Sequence, residues 1–102
     1  MKQPGSSHHS VFAPVTILSF TSLNRKTLVA VFDLLLSSGI AIYGVMLHRK
    51  DSGQWISFPG KPFQGKTGDT LYTKLIDIPD RATKIRFDER VLQALKDGGH
   101  IE

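Results

Sequence analysis

The fold depends on residues 28–47, which read LVAVFDLLLSSGIAIYGVML. This run of 20 residues carries one charge, Asp33, and is long enough to cross a bilayer as a helix. The cluster Ser37-Ser38-Gly39 at its midpoint is a turn signal, however, and β-branched residues recur on both sides of it. A membrane helix would also have to bury Asp33. We therefore predict a β-hairpin with strands at 27–36 and 40–49.

Further strands are predicted outward from this hairpin, at 15–23, 55–58 and 71–78, with turn residues between them. No crossover helix separates them, which is typical of an antiparallel meander. One helix is predicted at 81–97, with Asp80 as N-cap and Gly98-Gly99 as the stop signal. The predicted fold class is α+β: an antiparallel meander sheet of four to five strands with one C-terminal helix packed on it.

The domain organisation expected from composition is simple. Residues 1–12 are polar and predicted to be a disordered tail, residues 13–97 form a single domain, and residues 98–102 form a short C-terminal tail. The chain has no cysteine, which excludes disulfides and zinc-thiolate sites, and its four histidines lack metal-ligand spacing. No signal peptide is visible. We expect a soluble cytoplasmic protein with no metal, no cofactor and no membrane partner.

The strand at 27–36 is apolar on both faces. One helix can cover only one face of a sheet, and a large exposed apolar patch usually marks an interface. We therefore expect a homodimer or a higher oligomer. The alternative is that the N-terminal segment, or the long loop after the fourth strand, covers the second face.

Residues Gly60–Thr67 match the phosphate-binding pattern G-x-x-x-x-G-K-[ST]. Such a loop requires a helix that begins at the Lys-Thr end, so that its dipole faces the phosphate. Here Gly68-Asp69 signals a turn and a predicted strand follows. Within the loop, Pro62 removes an N–H group and Phe63 adds bulk. The stretch is therefore interpreted as a flexible basic loop, and nucleotide binding is the less favoured alternative.

The charge of the chain is uneven. Residues 13–79 hold seven basic and four acidic side chains, whereas residues 80–102 hold five of each. The additional basic residues lie at the ends of the predicted strands and in the loop at Gly60–Thr67. Trp55, Phe63 and Tyr72 lie between these basic residues in the sequence. This pattern suits nucleic-acid phosphates and stacked bases, although lysines at turns are also ordinary solubilising residues. No carboxylate pair has convincing spacing, and Ser57 has no base beside it in sequence, so an enzyme is not expected.

The order of Thr27–Asp33, Ile40–Val45 and Trp55–Pro62 resembles the bacterial stage V sporulation protein G (SpoVG) family and its phage-borne relatives. The shared motif is a strand that ends in a hydrophobic-Pro-small-Lys/Arg turn, and the resemblance covers about residues 15–95. It implies a small α+β dimer that binds nucleic acid and acts as a regulator. In this chain Lys61 holds the basic position after the turn, but Pro62 stands where the family often has Arg.

The resulting prediction is a dimeric nucleic-acid-binding regulator, with DNA favoured over RNA. The resemblance adds two basic residues at the helix start to those chosen from the charge pattern. The candidate phosphate contacts are Arg49, Lys50, Lys61, Lys66, Lys74, Arg81 and Lys84. Phe63 and Tyr72 are the candidate base-stacking residues. The alternative is a protein-interaction module that uses the apolar face of the sheet.

Overall fold

Six β-strands and one α-helix follow one another in the computed structural model, which describes residues 14–51 and 53–102. The predicted tail at 1–12 lies outside the described residues. The elements are β1 (Thr16–Arg25), β2 (Leu28–Leu35), β3 (Ala41–Lys50), β4 (Gly53–Ser57), β5 (Gly60–Gln64), β6 (Thr70–Lys74) and α1 (Arg81–Asp97).

The first four strands form an antiparallel sheet in the order β1-β2-β3-β4, which confirms the predicted meander. Residues 28–47 form the β2–β3 hairpin and not a membrane helix. Its turn is closed by a hydrogen bond from the Leu36 N–H to the Ile40 carbonyl at 2.8 Å. Gly39 in this turn has a φ of 93°, which only glycine adopts readily. No helix in the described part of the chain has the length and apolar character needed to cross a membrane.

The helix packs on one face of this sheet, as predicted. Phe87, Val91 and Leu95 recur every four residues, so they form one buried stripe along α1. Burial of each such side chain contributes about 1.5–3 kcal/mol. The buried sheet residues that complete the core are Ala30, Phe32, Leu34, Ile42, Val45, Leu47 and Ile56.

Both predicted helix signals are confirmed. The Asp80 carboxylate accepts hydrogen bonds from the Thr83 hydroxyl (2.6 Å) and the Thr83 N–H (2.9 Å), and these bonds lower the pKa of Asp80. At the other end, the His100 N–H donates to the Leu95 carbonyl at 2.9 Å, with Gly99 at a φ of 76°. This is a Schellman motif. The predicted C-terminal tail folds back onto strand β1. Its His100 ring stacks on Phe20, with ring centroids 4.8 Å apart.

The face of the sheet opposite the helix, here called the outer face, has partly buried apolar residues, among them Val31, Leu35 and Met46. It also has a bulge, where Asp33 of β2 stands opposite two residues of β3. The Asp33 carboxylate accepts hydrogen bonds from the Gly44 N–H (3.0 Å) and the Ser19 hydroxyl (2.8 Å). The buried stripe of the helix packs on the other face. The segment after β4 lies against part of the outer face, because Tyr72 and Lys74 line a cleft together with Met46.

The segment after β4 differs from its prediction. Residues 60–64, predicted as part of a loop, form strand β5, and the predicted strand at 71–78 ends at Lys74. The two strands pair with each other in a separate two-stranded sheet. Pro62 and the glycines in this segment are typical of a loop, since proline has no N–H group to donate a hydrogen bond within a central strand. In a two-stranded ribbon each strand keeps a free edge, so Pro62 is tolerated there.

Candidate nucleic-acid interface

The ribbon formed by β5, β6 and their connecting turn, residues 60–74, is here called the arm. Every residue of its two strands except Gly60 is exposed. Phe63 and Tyr72 are 47% and 67% exposed. The arm therefore presents both of its faces to solvent.

The strand register sorts the predicted arm residues onto two faces. Lys61 pairs with Thr73 and Phe63 pairs with Leu71, and directly paired residues point to the same side of a ribbon. Because successive residues alternate between faces, Tyr72 and Lys74 lie on the opposite face. The two aromatic rings thus cannot form one stack. Each face combines one ring with one lysine.

The turn at the tip of the arm presents Lys66. The Gly65 N–H donates to the Asp69 carbonyl at 2.8 Å, and the Gly68 N–H donates to the Gly65 carbonyl at 3.1 Å. These N–H groups are therefore used within the turn. Strand β6 follows at Thr70, where a phosphate-binding loop would need the start of a helix. The Gly60–Thr67 stretch forms a strand and a hairpin turn.

The lysines of the arm differ in how they are engaged. Lys74 lies 3.3 Å from the Asp77 carboxylate, but both side chains are largely exposed, so this ion pair contributes little. Within residues 14–51 and 53–102, no carboxylate lies within ion-pair distance of Lys61 or Lys66. Both ammonium groups are thus available to an anionic partner.

Arg49 and Lys50 lie away from the arm. The arm leaves the sheet after Pro59, which packs beside Gly44 in β3. From there to Lys50 is roughly 20 Å of strand. Arg49 points to the helix side of the sheet, where the Gln54 amide oxygen, when turned toward it, accepts from its guanidinium at 2.8 and 3.0 Å. Lys50 lies on the outer face.

The two candidates at the start of the helix have different surroundings. Arg81 is exposed in the first turn. The Lys84 ammonium donates to the Ile56 carbonyl (2.7 Å) and to the Asp88 carboxylate (2.6 Å), while the Ile56 N–H donates to the other Asp88 oxygen at 3.4 Å. Strand β4 is at the edge of the sheet, so Lys84 and Asp88 together occupy both backbone groups of Ile56 on its free side.

A cleft of about 660 Å³ lies between the base of the arm and the sheet. It brings together three of the predicted residues, Tyr72, Lys74 and Lys84, with two polar residues that were not predicted as site residues, His48 and Ser57. No sequence pattern indicates that His48 and Ser57 lie close together. They meet only because the strand register sets β3 beside β4.

His48 is held by hydrogen bonds at both ring nitrogens. Its Nδ1 lies 3.1 Å from the Thr27 hydroxyl and its Nε2 lies 2.9 Å from the Ser57 hydroxyl. Burial lowers the pKa of His48, which favours the neutral ring at pH 7. The Ser57–His48 spacing is that of a nucleophile and its base, but the third member is a neutral hydroxyl where a catalytic triad has a carboxylate. The hydrogen bonds to Thr27 and Ser57 therefore fix the orientation of the imidazole ring.

No family model matches this chain, and comparisons with curated proteins and with solved structures also gave no match. Among the described residues, no group of three or more His, Cys, Asp or Glu side chains is placed to hold a metal ion. The structure defines a class: a small α+β protein with a four-stranded antiparallel sheet, one C-terminal helix and a two-stranded arm.

Proposed function

We propose that this protein binds nucleic acid through the arm and acts as a dimeric regulator. The observation that carries the proposal is the combination, on one exposed ribbon, of exposed lysines and exposed aromatic residues. Lys61 accompanies Phe63 on one face, Lys74 accompanies Tyr72 on the other, and Lys66 lies at the tip. Lysines attract the phosphate backbone, and aromatic rings stack on bases. DNA is the favoured ligand.

The marginal stability of an isolated ribbon supports a binding role. A two-stranded hairpin has little stability in water unless it packs against something else. The arm has apolar residues but leaves them in solvent, with Leu71 at 46% exposure beside Phe63. Binding to a partner would bury these side chains and order the ribbon.

The resemblance to the SpoVG family supports the same proposal, because it implies a nucleic-acid-binding dimer. The motif position of that resemblance, Lys61, lies in the first strand of the arm. Dimerisation is supported by the outer face, where the apolar residues Val31 and Leu35 are only partly buried. Analytical ultracentrifugation of the purified chain measures its oligomeric state. A monomer at all tested concentrations would contradict the proposed dimer.

The test of nucleic-acid binding is a charge reversal on the arm. We expect the double variant Lys61→Glu/Lys66→Glu to bind DNA oligonucleotides more weakly than the wild type in a gel-shift titration. The matched control is Arg25→Glu/Lys96→Glu, which makes the same change in net charge at exposed positions outside the arm. Equal losses in the two double variants would show that only net charge matters, and would remove the arm from the proposal.

A protein-interaction module is the second candidate, and the exposed apolar residues just after the arm favour it. Leu75 and Ile76 are 61% and 37% exposed. In that case the arm charge reversal would leave partner binding intact, and the wild-type chain would show no affinity for oligonucleotides.

A further inference from the structure

Trp55 lies on the outer face of the edge strand β4, stacked against His48 of β3. The two rings are nearly parallel, with an interplanar angle of 9° and centroids 5.3 Å apart. The residues are directly paired across the two strands. His48 thus supports one face of the indole.

This support is rigid because the imidazole is held on both sides. Thr27 and Ser57 contact its two nitrogens, at 3.1 and 2.9 Å, so rotation of the ring would break two hydrogen bonds. Burial lowers the pKa of His48, so the neutral ring predominates near pH 7. The indole is therefore placed before any ligand arrives, and little conformational entropy is lost when a ligand binds.

The side of the indole away from His48 has no neighbouring strand in the sheet. β4 is the last strand of the sheet, so no further strand lies beyond Trp55. Trp55 is 39% exposed although its side chain is large and aromatic. A planar ligand can therefore approach the indole from the free edge of β4 without contacting another strand of the four-stranded sheet.

A cation is positioned beside this ring. Lys50 lies on the same face as His48, and its pair with Gly53 is the next pair on that face after His48–Trp55. Same-face pairs are about 7 Å apart along a strand. A ligand that lies on the indole can thus place an anionic group near the Lys50 ammonium.

We propose that Trp55 is a stacking platform for an unpaired base of a single-stranded nucleic acid, with Lys50 contacting the adjoining phosphate. The proposal rests on the proposed nucleic-acid-binding function and adds a second contact site outside the arm. A base within a duplex has both of its faces stacked, so only an unpaired base can offer a face to the indole. Charge and planarity together select this ligand over an apolar peptide.

The chain has a single tryptophan, so its intrinsic fluorescence reports on this site alone. The wild type is titrated with a single-stranded oligo-dT of about 15 nucleotides, within the usual site size for such proteins. A fluorescein-labelled copy gives the affinity by anisotropy, and an unlabelled copy gives the change in Trp55 emission. An abasic oligonucleotide of equal length supplies the phosphates without the bases.

We expect oligo-dT to quench Trp55 emission with the same midpoint as the anisotropy change, and the abasic strand to bind without quenching. Trp55→Leu should weaken oligo-dT binding by about 5- to 150-fold, the range for loss of one stacked base. Trp55→Phe should keep most of the affinity because it retains an aromatic face. Far-UV circular dichroism checks that each variant is folded.

The outcomes separate this proposal from the arm. Binding without quenching, together with unchanged affinity of Trp55→Phe and Trp55→Leu, would overturn the platform and leave the arm as the site. Quenching that survives Lys61→Glu/Lys66→Glu with full affinity would support the platform and contradict the arm. Failure of the wild type to bind any oligonucleotide would overturn both.

Discussion

Lys84 donates from its ammonium to the carbonyl of Ile56 at 2.7 Å and so joins the helix to the free edge of the sheet. Asp88, one turn later, binds the same ammonium and lies 3.4 Å from the Ile56 N–H. A free strand edge is open to pairing with other chains, and this pair of side chains occupies it. Lys84 was a predicted phosphate contact, and its ammonium is engaged within the fold.

Replacement of Lys84 by methionine should destabilise the fold. The variant removes a hydrogen bond from a charged donor and leaves the partly buried Asp88 carboxylate without its cation. Loss of such a bond costs about 1.5–3 kcal/mol in the free energy of unfolding. Urea denaturation measures it. The matched control is Lys61→Met, at an exposed position with no ion pair among the described residues, and equal unfolding free energies for the two variants would contradict the assignment.

Gly44→Ala should destabilise the β2–β3 bulge through the backbone alone. Gly44 has a φ of 76°, a conformation that costs an L-residue roughly 1–2 kcal/mol. The added Cβ would lie 3.9 Å from Pro59, which is an ordinary contact. Gly53→Ala is the matched control, since its φ is not positive and its new Cβ also has room. Thermal unfolding compares the two, and equal midpoints would contradict the role of the φ angle.

The stability of the fold should depend on pH through His48. Burial holds the pKa of His48 below its unfolded value of about 6.5, so the unfolded chain binds the proton first as the pH falls. The contribution of the neutral ring is complete above pH 6.5 and decreases as the pH falls from there toward the folded pKa. Urea unfolding between pH 7.5 and 5.5 measures this loss.

His48→Gln isolates the contribution of this histidine. The glutamine amide does not titrate, so the difference in unfolding free energy between wild type and variant should shrink as the pH falls below 6.5. A difference that stays constant with pH would show that burial of His48 has no effect on its protonation.

Neutralising the arm lysines one at a time should change the salt dependence of DNA binding. Each lysine that contacts a phosphate adds about 0.7–0.9 to the slope of log affinity against log salt concentration. We therefore expect Lys61→Gln and Lys66→Gln each to reduce the slope by about that amount. Lys96→Gln, on the helix, should leave it unchanged. A slope that none of the three variants alters would argue against phosphate contacts by the arm.

The hairpin at 28–47 and the helix at 81–97 were predictable because their signals are local. The cluster Ser37-Ser38-Gly39 specifies a turn between two β-rich runs. In the helix, apolar residues at a spacing of three and four mark the buried side, and Asp80 and Gly99 mark its ends. Neighbouring residues alone produce these features, so the sequence order is enough to find them.

The arm was only partly predictable. Its basic and aromatic residues are visible in the sequence, and β6 was found as part of a longer strand. Strand β5 was missed because Pro62 and the glycines are typical of a loop. The strand register places Phe63 and Tyr72 on opposite faces of the arm. This placement depends on how β5 pairs with β6, and composition does not predict it.

The amino-acid order was sufficient for the meander, the helix with its caps, and the basic character of the 60s segment, since each follows from residues close together in the chain. Tertiary structure alone brought His48 to Ser57, nine residues away, and Lys84 to Ile56, 28 residues away. Those contacts depend on which strand lies beside which, and in what register. That choice is made when the whole core packs, and no short stretch of sequence contains it.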